Sequence, residues 1–245
     1  MEPYQDAFER IERAVEEGSD LRGLGFWPLV REIKTDPRLA ERWADTVGRI
    51  DRMAFERRTR FRLPVWTGNA ILLAISLVWL GLVPVGLAPA RGGRQTLGGL
   101  VVLAAGVGLG TAIHGPAHWV VGSANRIRFH GYFLKKPLFT PCLKIDYASY
   151  LRAEPAGRAT MHAAGAIATK AAPFAVFTVA YLRHRAEGYA LLPSWSLWAL
   201  LGVGVLQIVT DVVWSRKYSD WKKVLRERAV AAAIEAGRGP GGRLR

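Results

Sequence analysis

The chain is poor in cysteine: Cys142 is the only one among its 245 residues. A single thiol cannot form a disulfide within the chain, so a small secreted fold held together by disulfides is excluded. A free thiol fits the reducing, cytosolic side of a membrane. The fold must therefore be stabilised by packing of apolar side chains or by insertion into lipid.

Four long stretches of the sequence have almost no charged side chains. Residues 64–90, 95–125 and 188–210 contain none, and the stretch 159–182 is interrupted only by His162 and Lys170. Each stretch exceeds the roughly 20 residues that a helix needs to span a bilayer. Buried helices of a soluble protein would have polar faces, which these stretches lack. The sequence therefore predicts an α-helical membrane protein with four transmembrane helices.

The regions outside the spans show other patterns. We expect a cytosolic helical region at residues 1–62, a four-span membrane domain at 63–218, and an amphipathic juxtamembrane helix with a disordered tail at 219–245. Apolar spacing in the first region predicts helices over 4–17 and 36–58 and a shorter segment over 26–33. Between the second and third spans, alternation of apolar and polar residues over 143–147 predicts a small β-containing loop at the membrane surface.

Basic residues outnumber acidic ones, 34 to 20, for a net charge of +14. They concentrate before the first span, between the second and third, and after the fourth. The positive-inside rule then places both termini in the cytoplasm. Membrane lipids are the expected partners of this charge, and nucleic-acid binding is not needed to explain it. The highly charged residues 1–62 also predict that no cleavable signal peptide opens the chain.

Two histidines, His114 and His118, stand four residues apart inside the second uncharged stretch. On a helix they project from one face, one turn apart, and so offer two nitrogen ligands to one metal ion. The predicted orientation places Asp211, near the end of the fourth span, at a similar depth. A carboxylate inside a membrane helix is costly unless it is paired or coordinated. We therefore predict a zinc site at His114, His118 and Asp211, with a metal-free polar core between helices as the alternative.

Two further polar residues lie in the third span. His162, near its cytoplasmic start, can be a further ligand, can hold a ligand in place, or can lie at the level of the headgroups. Lys170 lies deeper and can face a wet cavity or pair with Asp211, and we assign it no catalytic role.

With these motifs the sequence resembles the site-2 protease family, the intramembrane zinc metalloproteases. Family members carry H-E-x-x-H on one helix, A-G-P-x-x-N on the next and an L-D-G aspartate on a third. The matching segments, in the same order, are 114–118, 164–169 and 210–212. The resemblance covers about residues 65–228. It implies a zinc site at His114, His118 and Asp211, with Thr169 beside it and a partly β loop at the membrane surface.

The chain departs from the family pattern at the residues that carry catalysis. Gly115 stands where the family has its glutamate, Ala166 replaces the proline, and Thr169 replaces the asparagine. In a metalloprotease that glutamate deprotonates the zinc-bound water and passes the proton to the leaving amine. Glycine can do neither. The resemblance therefore implies a proteolytically inactive relative that binds transmembrane segments of other proteins.

Two alternatives remain open at this point. One is an active intramembrane metalloprotease that takes its base from Glu154, Asp146 or His162. The other is a bis-histidine haem or metal-transport protein that uses His114 or His118 together with His162.

Overall fold

The structure is a computed structural model that describes residues 3–88, 94–135, 140–186, 192–214 and 219–238. The helices in these ranges are α1 Pro3–Glu16, α2 Phe26–Ile33, α3 Pro37–Arg58, α4 Val65–Gly86, α5 Arg94–Ala124, α6 Tyr147–Arg152, α7 Pro155–Ala186, α8 Ser194–Val212 and α9 Asp220–Arg238. The strands are β1 Arg62–Leu63, β2 Phe129–Lys135 and β3 Thr140–Ile145. The predicted disordered tail, from residue 239 onward, lies outside the described residues.

Four of the helices, α4, α5, α7 and α8, are long and apolar enough to cross a membrane. Only 22–39% of their most apolar windows is buried within the protein. Most of their apolar side chains therefore face outward, as is expected of helices that lipid surrounds. The prediction of a mainly helical protein with four helices long and apolar enough to span a membrane is confirmed.

The chain divides into two compact units. The first comprises Met1–Val65, Val121–Thr160 and Val224–Arg245, and the second comprises Trp66–Val120 and Met161–Lys223. The first unit thus combines the N-terminal helices with the segment between the second and third spans. The second unit contains most of the four apolar helices.

The core of the first unit is formed where α1, α2 and α3 pack together. Its fully buried members include Phe8, Phe26 and Ile50, and Leu151 of α6 joins the same cluster. The helix α3 begins at Pro37 because the Asp36 carboxylate accepts hydrogen bonds from the first backbone N–H groups of the helix. On α3, a Cβ at Gly48 would lie 2.8 Å from the Cβ of Ala148, so glycine permits the close approach of α3 and α6.

The strands form an antiparallel sheet in the order β1-β2-β3. Tyr132 lies opposite Leu63 on one side and Leu143 on the other. The sequence pattern predicted β structure between the second and third spans but not β1, whose two residues are too few to show alternation. The expected strand over 143–147 ends at Ile145, because Asp146 caps the short helix α6 instead.

A buried ionic cluster in the first unit joins three of its segments. The carboxylate of Glu227 on α9 accepts a 2.6 Å hydrogen bond from Nε of Arg158 and a 2.8 Å bond from the hydroxyl of Tyr150, and it pairs with Lys34. The side chains of Arg158 and Glu227 are only 2% and 4% exposed. Burial by itself raises the pKa of Glu227, but the charges of Lys34 and Arg158 outweigh it and hold that pKa below its ordinary value.

In the second unit, α5 packs closely against α7 and α8. Leu109, Ala172 and Leu200 belong to its buried core. A Cβ at Gly110 of α5 would lie 2.7 Å from the backbone oxygen of Thr169 on α7, so only glycine allows this approach. The histidines of α5 follow within two turns and therefore face α7.

Candidate metal centre

The two histidines of α5 lie one turn apart on the same face of the helix. The rings of His114 and His118 meet edge to face, with centroids 4.6 Å apart and planes at 89°. Their Nε2 atoms are 3.2 Å apart. The spacing that the sequence predicted therefore brings one nitrogen of each ring to a common point.

The other nitrogen of each ring is held by α7. The Nδ1 atom of His118 lies 2.7 Å from the backbone oxygen of Met161. A carbonyl oxygen only accepts hydrogen bonds, so this Nδ1 carries the proton. The Nδ1 atom of His114 lies 2.8 Å from Oγ1 of Thr169 and 3.1 Å from the oxygen of Gly165. Since the Thr169 hydroxyl donates to that same oxygen at 2.9 Å, it accepts from His114. When either ring is neutral, its lone pair is therefore on Nε2, where it can bind a metal ion.

A carboxylate oxygen lies close to both Nε2 atoms and forms a group of three with them. The Oδ2 atom of Asp220, the first residue of α9, lies 3.2 Å from Nε2 of His114 and 3.2 Å from Nε2 of His118. Its other oxygen, Oδ1, pairs with Lys223 at 2.7 Å. Burial opposes ionisation of Asp220, but hydrogen bonds from His114 and His118 and the charge of Lys223 hold its pKa well below the usual range. Asp220 is therefore an anion at neutral pH.

The three atoms have the spacing of metal ligands. Two nitrogens and one oxygen form a triangle with edges of 3.2 Å. Ligands at 2.0–2.1 Å from a tetrahedral zinc ion lie about 3.3 Å from one another, so the triangle matches one face of that tetrahedron. A metal ion that displaces any proton from the two Nε2 atoms can attract all three lone pairs at once. The group His114, His118 and Asp220 can therefore hold a metal ion.

The three side chains of the group differ in their exposure to solvent. The side chain of His114 is 37% exposed, against 12% for His118 and 14% for Asp220. A fourth ligand, such as water, can therefore approach from the side of His114. An open fourth position distinguishes reactive or exchangeable zinc sites from closed structural ones.

Gly165 is required by the geometry of the site. A Cβ at this position would lie 2.2 Å from Nε2 of His118, which no real contact permits. The glycine leaves room for the imidazole, while its backbone oxygen accepts from Thr169. Sequence reasoning named Gly165 only as part of a motif, whereas the structure places it in contact with a ligand.

The structure differs from the sequence-based expectation at the third ligand. Asp211 pairs with Lys170 of α7 and is not part of the histidine group. Lys170 also donates a 3.0 Å hydrogen bond to the backbone oxygen of Ala166. The prediction for Asp211 rested on depth in the membrane, and depth does not determine which way a side chain points around its helix. Asp220, at the start of the predicted juxtamembrane helix, supplies the carboxylate.

The remaining predicted residues lie around the group. Thr169 contacts His114, as described, and His162 is buried with Nδ1 at 3.9 Å from Oδ1 of Asp220. Gly115 is buried and contributes no functional group. In the first unit, Asp146 caps α6 and pairs with Arg128, so its carboxylate is already engaged.

No protein-family model, curated protein or solved structure matches this chain. The likeness to site-2 proteases thus depends on the sequence motifs alone, and function has to be argued from the chemistry of the site.

Proposed function

We propose that this membrane protein holds a zinc ion at His114, His118 and Asp220 and that it is a site-2-protease-like pseudoprotease. In this proposal it binds transmembrane segments of other proteins without cleaving them. The observation that carries the proposal is the triangle of ligand atoms with 3.2 Å edges.

Zinc fits the donor set better than calcium, magnesium or copper(II). Two imidazole nitrogens and one carboxylate oxygen are ligands that zinc prefers, and the near-tetrahedral spacing matches its geometry. Calcium and magnesium favour shells made of oxygen, and copper(II) favours a square-planar arrangement. The hydrogen bonds from Nδ1 to backbone and hydroxyl oxygens orient both rings, as is usual for metal-bound histidines.

The absence of proteolysis follows from the missing base. A base that acts on zinc-bound water contributes roughly 10²- to 10⁴-fold to the rate. Gly115 offers no proton acceptor, and the one carboxylate in the described metal group, Asp220, is itself a ligand. Its second oxygen is paired with Lys223. The binding of transmembrane segments is proposed from the resemblance to the site-2 protease family.

Purified wild type and His118→Ala test both zinc binding and the absence of proteolysis. Wild type is expected to contain about one zinc ion per chain and His118→Ala almost none, because two of the three ligands cannot retain the ion. Incubated with a reporter transmembrane segment, wild type is expected to cleave no faster than His118→Ala. Zinc content is measured by elemental analysis and cleavage by mass spectrometry of the products.

Other outcomes would point to the alternatives. Cleavage by wild type that disappears in His118→Ala would show an active protease with a base from elsewhere, and His162 would be the first residue to replace. A Soret absorption band would indicate haem. Gly115→Glu returns a carboxylate to the position of the family's base, so its cleavage rate shows whether that single residue is limiting.

We further infer that both termini face the cytoplasm and that the basic segments contact anionic lipid, from the distribution of Lys and Arg. In a Cys142→Ser background, a membrane-impermeant thiol reagent applied to intact cells is expected to label Gly92→Cys but not Gln5→Cys. Permeabilised cells provide the control, in which both positions are labelled. Labelling of Gln5→Cys alone in intact cells would show that the orientation is the opposite one.

A further inference from the structure

The carboxylate of the metal group does not lie on a membrane-spanning helix. Asp220 is the first residue of α9, whereas α8, the last of the four apolar helices, ends at Val212. Both histidines lie on α5. We propose that the metal ion is a clasp that fixes the first turn of α9 against α5, so that metal loading controls the position of this turn. This inference rests on the proposed metal site.

The hydrogen-bonding pattern makes the contact depend on a cation. Because His118 Nδ1 donates to Met161 and His114 Nδ1 donates to Thr169, each ring in its neutral form has its lone pair on the Nε2 atom that faces Asp220. The carboxylate oxygen is an acceptor as well. With both rings neutral, these three acceptors, 3.2 Å apart, repel each other unless a metal ion lies between them.

The other strong contact of Asp220 cannot replace the metal. Lys223 neutralises Oδ1 at 2.7 Å, but it lies three residues away on the same helix. This pair moves with α9 and does not attach α9 to another element. His162 of α7, at 3.9 Å from Oδ1, is beyond hydrogen-bonding distance.

The clasp acts on a short segment. Further along α9, Glu227 is held within the first unit by Arg158, Tyr150 and Lys34, none of which belongs to the metal group. Loss of the metal is therefore expected to release the first turn, residues 219–223, while the helix from residue 227 onward stays in place. The amides of Lys222 and Lys223 hydrogen-bond to Ser219, so opening of this turn exposes them to solvent.

Hydrogen–deuterium exchange of the full chain in detergent micelles tests the clasp. Zinc-loaded wild type is compared with protein treated with a chelator, and peptides that cover 219–223 and 227–238 are followed by mass spectrometry. We expect chelation to speed exchange in 219–223 by about tenfold or more and to leave 227–238 unchanged. Asp220→Ala, which removes the carboxylate, is expected to show fast exchange in 219–223 with or without zinc.

The possible results separate this inference from the proposed function. If zinc binds to wild type but exchange in 219–223 does not change, the clasp is overturned and the metal site stands. If zinc does not bind, both are overturned. Equal slowing of exchange by zinc in 219–223 and in 227–238 would show general stabilisation and would also overturn the clasp. Asp211→Asn is the matched control, because it alters a carboxylate outside the group and is expected to keep the zinc effect.

Discussion

Replacing Asp220 by alanine is expected to weaken zinc binding by more than about 100-fold, whereas replacing Asp211 by asparagine leaves it unchanged. Loss of a residue that merely orients a ligand costs roughly 10- to 100-fold in metal affinity, and loss of a ligand costs more. Asp220 Oδ2 lies 3.2 Å from both Nε2 atoms, while Asp211 is paired with Lys170. The measurement is competition between the purified protein and a zinc-sensitive dye.

The comparison needs a control for damage to the membrane helices. Asp211→Asn leaves Lys170 without its charged partner, which is costly for a residue within a span. The double variant Lys170→Met with Asp211→Leu removes both charges and avoids an unpaired one. We expect it to bind zinc as wild type does. Zinc affinity could instead fall with Asp211→Asn and with the double variant but not with Asp220→Ala. That result would show that Asp211 is the third ligand and would contradict the site described above.

Replacing Glu227 by glutamine is expected to destabilise the first unit by about 3–5 kcal/mol, because it leaves two buried cations without an anion. Lys34 and Arg158 both pair with this carboxylate, and the Arg158 and Glu227 side chains are almost fully buried. Glu41→Gln is the matched control in the same unit. Glu41 is 66% exposed and pairs with Arg152, so its loss is expected to cost no more than about 1 kcal/mol. Pulse proteolysis of the full chain in urea measures both variants.

Acid should reduce the difference in the free energy of unfolding between wild type and Glu227→Gln. The pKa of Glu227 is held below its ordinary value in the folded protein, so the stabilisation is complete above the unfolded pKa of 4.5. It is lost as the pH falls from there through the folded pKa. The gap between wild type and Glu227→Gln should therefore be constant from pH 7 to about pH 5 and shrink below it. A gap that stays constant down to pH 3 would show that the charge of Glu227 does not contribute.

Much of the architecture could be predicted from local patterns. The four apolar helices followed from stretches without charge, because a helix in lipid has no place for unpaired ions. The N-terminal helices followed from apolar spacing. The convergence of His114 and His118 followed from the helical repeat alone, since residues four apart share a face. That Gly115 offers no proton acceptor is a property of the sequence and needs no structure.

Other features depend on contacts between distant parts of the chain. The segment 121–160 joins the N-terminal helices in one compact unit, and Gly48 allows α6 to pack on α3. Neither could be predicted from local spacing, because a pattern within one helix carries no information about its neighbour. The same holds for Gly165, whose role depends on the ring of His118, 47 positions earlier by residue number.

Local sequence patterns could not predict which carboxylate lies beside the two histidines. The sequence contained both aspartates, and the depth of the spans favoured Asp211. Depth fixes a residue along the membrane normal, but the direction of its side chain depends on the rotation of the helix, which packing determines. Lys170, 41 residues before Asp211, neutralises that carboxylate, while Asp220 meets His118 from 102 residues away. The helical repeat alone placed His114 and His118 on one face of a helix. Only the tertiary structure, through the path of the chain after the last apolar helix, decided which carboxylate lies beside them.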